Sequence, residues 1–192
     1  RRMLADDRIR SLAIEFGTQW IHVRHFDQFN TKNEMLFPEY NSVLRSAMNE
    51  EAILLFKNLF QHGDPVIDLI DADHTFLNET LAKHYAIKGV VGDDFQRIEG
   101  VNEFGRGGIL GLASVQSKQS GASRVVETLL GEKLPLPPPG VPQLPESKIG
   151  NDGLTMREIT QRHVSDSQCA GCHRRIDPFG LALENYDPIG RL

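Results

Sequence analysis

Two cysteines and a histidine lie together near the C-terminal end of the chain, in the run Cys169-Ala-Gly-Cys172-His173. Residues three and four positions apart share one face of a helix, so these three side chains can contact one flat ligand. The C-x-x-C-H pattern is typical of covalent haem attachment. The two thiols would form thioethers with the haem vinyl groups, and the imidazole of His173 would bind the iron. The sequence therefore predicts one covalently bound haem c.

The same spacing also fits a zinc half-site or a redox dithiol. A second C-x-x-C would favour zinc, but Cys169 and Cys172 are the only two cysteines of the chain. A redox dithiol would be expected near a βαβ pattern, which the sequence does not show. Both alternatives stay open, the zinc interpretation as a structural site formed by these cysteines with His173 and His163.

Polar residues that follow the motif have predicted roles around the haem. Arg174 and Arg175 are candidates to pair with the haem propionates, although an exposed arginine pair is as often merely solvated. The Nδ1 proton of His173 is expected to donate to a backbone carbonyl within 176–180. Asp177-Pro178 is expected to end the helix. Pro178 is a further candidate to contact the haem, and the residues expected to pack on the haem ring are Phe179, Leu181, Leu183 and Tyr186.

The second axial ligand of the iron is less constrained by the sequence. Nineteen residues follow His173 and none of them is Met or His, so a sixth ligand must come from upstream or be absent. His163 is the first candidate because it lies close to the motif, and Met156 and an upstream histidine such as His84 are the others. The choice matters because the axial ligand sets the reduction potential, and an open iron favours peroxide or oxygen chemistry.

Composition limits the class of protein. The chain has 192 residues, is 40% hydrophobic and carries a net charge of −5, which is typical of a globular protein with a core. This charge gives no support for nucleic-acid binding, and no apolar run approaches the roughly 18 residues of a membrane span. Because the chain begins at Arg1, we expect it to be a fragment of a longer protein. The absence of a signal peptide therefore says nothing about where the protein is targeted.

Helical periodicity predicts a mainly α protein. Apolar residues recur at helical spacing over 6–21, 38–60 and 75–86. Pro38 is expected in the first turn of the second helix, with Met48 in its core stripe, and Asp73 is expected to cap the third. The segment 66–71 is expected to be a strand or a helical turn. The apolar face of the first helix is expected to contain Ile9, Leu12, Ala13, Phe16 and Trp20.

A proline-rich stretch divides the chain. Six prolines between Pro135 and Pro145 predict an extended polyproline strap, so we expect a helical body over 1–133, a linker over 134–150 and a haem-binding segment over 151–192. A segment of about forty residues has too little surface to shelter both haem faces. The haem-bearing helical unit is therefore expected to dock on the helical body.

Several phrases of the sequence resemble one family. They are Phe76–Ile87, Arg106–Leu110 with Ala113-Ser-Val115, the Leu-Leu-Gly before the proline run, and above all His163–Arg191. On these residues the chain resembles the C-terminal part of the large planctomycete-type cytochrome-c-like proteins, which combine several domains of unknown function. It departs from them at 116–124, where their loop is usually longer. The family pattern also has a histidine at the position of His163.

The resemblance implies an extracytoplasmic haem protein. Covalent haem attachment occurs on the outer side of the bacterial inner membrane, which also favours the periplasm or an equivalent compartment, with any membrane attachment through a part outside this chain. The first hypothesis is an electron-transfer module that serves a redox partner or other domains of a longer protein. The alternatives are a five-coordinate, peroxidase-like haem enzyme, an oxidoreductase whose catalytic part lies elsewhere, and the structural zinc site. A module that transfers electrons is favoured over a chain that is a catalyst on its own.

Overall fold

A computed structural model describes residues 2–118, 127–133, 157–158, 161, 164–165 and 167–192. The chain forms two compact units. The first comprises Arg1–Gln119 and Asn185–Leu192, and the second comprises Ser120–Glu184. The described residues are mainly helical, with one small two-stranded sheet, which confirms the predicted fold class. The predicted boundaries at 133 and 150 stay predictions, and the proline strap over 134–150 lies outside the described residues.

The first helix of the chain changes its winding after one turn. Helix α1 spans Ile9–Leu12 and continues as a π-helix over Ala13–Thr18. Its inward row takes every fourth residue, Ile9, Ala13 and Gly17, and a Cβ added at Gly17 would overlap the ring of Phe56. A helix lies within the predicted range 6–21, but it begins at Ile9, and the predicted apolar face is wrong at Leu12 and Phe16, which are 44% and 53% exposed. Phe16 lies within the π-helix, whose wider turn changes which residues face inward.

Helix α2 is the longest element and spans Ser42–His62. It begins at Ser42 because the side chain of Asn41 accepts a hydrogen bond from the Leu44 amide at 3.0 Å, and it ends at Gly63 in the left-handed conformation. The expected start at Pro38 is therefore wrong by one turn. Met48 is fully buried in the core, as predicted. The other core residues of this helix are Leu44, Ala47, Ala52, Ile53, Leu55 and Phe56.

The segment after α2 contains the sheet. Helix α3 spans Asp68–Asp71, which confirms the helical alternative, and strand β1 spans His74–Leu77. Strand β1 pairs antiparallel with β2, Gln96–Glu99, which the sequence did not predict. Helix α4 is shorter than expected and spans Glu79–His84.

The predicted cap of α4 is wrong for a local reason. The side chain of Asn78, rather than Asp73, caps this helix by accepting from the Leu81 amide at 3.0 Å. Asp73 instead accepts from the Asn102 amide at 2.9 Å, beside the turn that follows β2. The residues between the two positions are extended because they form β1, so Asp73 cannot begin a helix.

A buried polar cluster ties α2, β1 and α4 together. Glu51 is 1% exposed, and its carboxyl accepts from the hydroxyls of Thr75 and Tyr85, each at 2.6 Å. The Tyr85 hydroxyl in turn accepts from the amide of Ala113, in helix α5 over Ala113–Gln116, at 2.9 Å. Burial raises the pKa of Glu51 to about 7, although both hydroxyls and the positive charge of Arg106 act to lower it.

Arg106 fixes the last residues of the chain in the first unit. Its side chain is buried, with the guanidinium carbon 3.7 Å from the centre of the Tyr85 ring. It donates to the Gly111 carbonyl at 3.0 Å and to the Gly190 carbonyl at 2.8 Å. Each of these carbonyls belongs to a different part of the chain, so one cation joins them around the tyrosine.

The C-terminal segment 185–192 is further fixed by close packing. Ile189 is fully buried, and its carbonyl lies 3.0 Å from Nε2 of His84. Gly190 has a φ of +76°, and a Cβ there would lie 2.8 Å from Cα of Ala113. Only glycine combines this backbone conformation with so close an approach. Gly105 and Gly108 lie in turns.

The second unit is described over fewer residues. Residues 127–129 are helical, and Gly131 has a φ of +67°, the conformation expected of a residue that ends a helix. Helix α6 spans Ser167–Ala182 and carries the C-x-x-C-H motif. Among the helices of the described residues, none is both long and apolar enough to cross a bilayer.

Replacing Glu51 by Gln tests the buried carboxyl. Its folded pKa of about 7 lies above its ordinary value of 4.5, so the folded state prefers the protonated form. The resulting stabilisation is complete below the unfolded pKa, is lost as the pH rises through about 7, and corresponds to about 3 kcal/mol. We therefore expect the stability of Glu51→Gln relative to wild type to rise by about 3 kcal/mol between about pH 4 and about pH 9, in urea unfolding.

Glu50→Gln is the matched control, since it removes one carboxylate from the same helix at a position paired with Arg10 at 2.6 Å. An equal change with pH in the two variants would contradict the assignment to Glu51.

Candidate functional site

Helix α6 places the three motif side chains on one helix. Cys169 is 7% exposed, while Cys172 and His173 are half-buried. Both cysteines are free thiols. Because Cys172 and His173 follow Cys169 by three and four positions on a continuous helix, the three side chains lie along one face. This is the helical arrangement that the sequence predicted.

The ring of His173 is oriented by a carboxylate. Its Nδ1 lies 2.8 Å from Oδ1 of Asp177, one helical turn further on, and the two side chains are 22% and 19% exposed. The sequence-based expectation of a backbone carbonyl partner within 176–180 is therefore wrong. The reason is geometric, because a side chain at the fourth following position of a helix reaches the imidazole directly. With Nδ1 bonded to Asp177, Nε2 is the nitrogen that would bind a metal.

The helix does not end at Asp177-Pro178. It continues to Ala182 with Pro178 inside it. Proline has no amide proton, so it cannot donate to the carbonyl of Arg174 four positions earlier. The expectation that this dipeptide ends the helix is wrong, and the extension keeps Phe179 and Leu181 on the same helix as the motif.

The charged residues beside the motif lie at the surface of the second unit. Arg174 is exposed, and Arg175 forms a half-exposed ion pair with Glu132. Arg157 donates from Nε to Glu184 at 3.0 Å. A role of Arg174 and Arg175 in binding propionates stays a prediction.

The expected ring contacts fall in both units. Phe179, Leu181 and Leu183 are half-buried in the second unit. Tyr186 belongs to the first unit, where its hydroxyl donates to the Gly105 carbonyl and its ring centre lies 5.2 Å from the Arg106 guanidinium carbon. The structure therefore gives Tyr186 a structural contact within the first unit.

The candidate distal ligands are only partly described. His163 and Met156 lie outside the described residues. His84 is half-buried in the first unit, and burial lowers the pKa of its imidazole against the opposing effect of the Ile189 carbonyl. A neutral imidazole whose Nε2 donates to that carbonyl has its lone pair on Nδ1.

The residues on α6 fit a covalently attached haem. Two free thiols three positions apart suit two thioether bonds, and the histidine that follows has its ring fixed through Nδ1. Iron-ligating histidines commonly donate their second ring N–H to a carboxylate, a backbone carbonyl or a water. The donor set and the orientation of His173 therefore agree with iron ligation through Nε2.

The zinc alternative requires a group of side chains that can bind a bare metal ion. In the part of the chain that the structure describes, no group of three or more His, Cys, Asp or Glu side chains is placed to hold a metal ion. The zinc alternative also involves His163, outside the described residues, and is decided by metal analysis.

Comparison with known families divides the chain in two. Residues 1–87 match the family PSD4, described as a protein of unknown function (DUF1592), and residues 106–192 match PSCyt3, described as a protein of unknown function (DUF1588). The chain thus consists largely of two segments that resemble two families of unknown function. No curated protein and no solved structure matches it. The second match includes the whole of α6 and the buried Arg106.

Two residues with clear roles were missed from the sequence. Asp177 was read as the end of a helix, although its distance of four positions from His173 is a signal for a side-chain pair. Arg106 was noted only within the phrase Arg106–Leu110, and nothing in the local sequence indicates that its side chain is buried against Tyr85. The first role was predictable from spacing, whereas the second depends on distant parts of the chain.

Proposed function

We propose that the chain is a c-type cytochrome module that binds one haem covalently and transfers electrons within a larger extracytoplasmic protein or complex. The observation that supports it best is the set of Cys169, Cys172 and His173 along one helix, with Nδ1 of His173 bonded to Asp177. Residues 106–192 match a family of unknown function whose name, PSCyt3, suggests a cytochrome, and this name supports the proposal.

Each residue has a defined part in this proposal. Cys169 and Cys172 anchor the haem through thioether bonds, which hold the group on α6 without an equilibrium of binding and release. His173 binds the iron through Nε2, and Asp177 holds its ring in one orientation. The haem supplies one-electron oxidation and reduction when bound. The redox partner is another protein or another domain of a longer chain.

Covalent haem is tested by the pyridine haemochrome spectrum of the chain made with cytochrome c maturation factors. We expect colour that remains with the polypeptide after denaturing extraction, with the α-band of haem c. The Cys169→Ser/Cys172→Ser double variant is expected to lose that colour, because it has no thiol to form a thioether.

Ala170→Ser is the matched control, since it changes a residue between the two cysteines and keeps both thiols. It is expected to retain the haem. A colourless wild-type chain that contains zinc would contradict the proposal and favour the structural zinc site.

His163 is the distal ligand that we propose, because it lies ten residues before His173 and matches a histidine of the family pattern. The His163→Ala variant is then expected to change a low-spin, six-coordinate spectrum into a high-spin one, since the iron loses its sixth ligand. Met156→Ala is the comparison variant and should remain low-spin. The reverse result would assign Met156, and a high-spin wild-type protein would favour the five-coordinate, peroxidase-like alternative.

A further inference from the structure

We infer that Asp177 is a positioning residue that lowers the reduction potential of a haem bound to His173. The inference rests on the proposed function, since it concerns the haem iron. Its structural basis is the contact of 2.8 Å between Oδ1 of Asp177 and Nδ1 of His173. A neutral backbone carbonyl at the same place would orient the ring equally well, so the consequence lies in the charge of the acceptor.

The contact is fixed by the helix that carries both residues. Asp177 follows His173 by four positions on α6, so the two side chains lie on the same face whatever the rest of the chain does. Because the contact is local to α6, we expect it to persist when haem is attached to Cys169 and Cys172.

Burial makes this pair stronger than an ordinary surface pair. The two side chains are 22% and 19% exposed, so water competes less for the hydrogen bond than at a fully exposed position. Among the described residues, no lysine or arginine forms an ion pair with Asp177. Within the described part of the chain, the ion-pair partner of the Asp177 carboxylate is the imidazole of His173.

The electronic consequence follows from the direction of the hydrogen bond. A carboxylate that accepts the Nδ1 proton increases the electron density of the ring, and so the basicity of Nε2. A more basic ligand stabilises ferric iron more than ferrous iron, because the ferric ion carries the higher charge. The oxidised form is therefore favoured, and the reduction potential falls.

Asp177→Asn separates charge from geometry, because the amide oxygen can still accept from Nδ1 while the negative charge is lost. The control is Glu184→Gln, which removes one carboxylate of the same unit that bonds to Arg157 rather than to His173. Both variants are made in the full chain loaded with haem, and the reduction potential is measured by spectroscopic titration.

Both variants are compared at one fixed solution potential near the midpoint. We expect the ratio of reduced to oxidised protein to be at least tenfold higher in Asp177→Asn than in Glu184→Gln. For one electron, a tenfold ratio corresponds to a reduction potential that is about 59 mV higher. Equal ratios in the two variants, with haem attached in both, would overturn the role of Asp177 and leave the proposed function intact. A wild-type chain without covalent haem would overturn both.

The haem-loaded wild-type structure gives a second test that needs no variant. Nδ1 of His173 within hydrogen-bond distance of the Asp177 carboxylate supports the inference. If Asp177→Asn fails to load haem, the haem-loaded wild-type structure is the deciding test. In that structure, a hydrogen bond from Nδ1 of His173 to a backbone carbonyl would overturn the inference.

Discussion

A buried arginine on a buried tyrosine ring is the contact on which the first unit depends. Arg106 lies on the ring of Tyr85 and donates to two carbonyls, those of Gly111 and Gly190, and so it joins α4, the loop before α5 and the last residues of the chain. Tyr85 in turn donates to the buried Glu51 of α2. A buried cation or carboxyl is costly unless its polar atoms are bonded, so each member of this cluster constrains the others. The segment 185–192 belongs to the first unit because of these contacts.

The geometry of the candidate site, unlike that of the Arg106 cluster, is set within one helix. Cys169, Cys172, His173 and Asp177 all belong to α6, and their relation depends on the helix rather than on long-range packing. The cluster around Arg106 combines residues far apart in the sequence, whereas the motif needs one helix of sixteen residues. The attachment cysteines, His173 and its carboxylate partner therefore keep their relation to one another wherever this helix forms.

This difference explains how much the sequence could predict. The helical class, the core position of Met48 and the motif on a helix follow from periodicity and spacing, which are local signals. The strand pair of His74–Leu77 with Gln96–Glu99 was missed because pairing between distant segments leaves no periodic signal in so short a strand. The exposure of Phe16 was missed because a π turn is not visible in an apolar pattern. Asp177 was the one predictable omission, since its spacing from His173 is that of a helical pair.

The central claim is that Cys169 and Cys172 hold a haem through covalent bonds. The most direct measurement is the intact mass of the denatured chain after production with cytochrome c maturation factors, beside the same chain made without them. The account predicts a mass increase of one haem per chain, removed when both cysteines are replaced by serine. An unchanged mass under maturation conditions that load a known c-type cytochrome would contradict it.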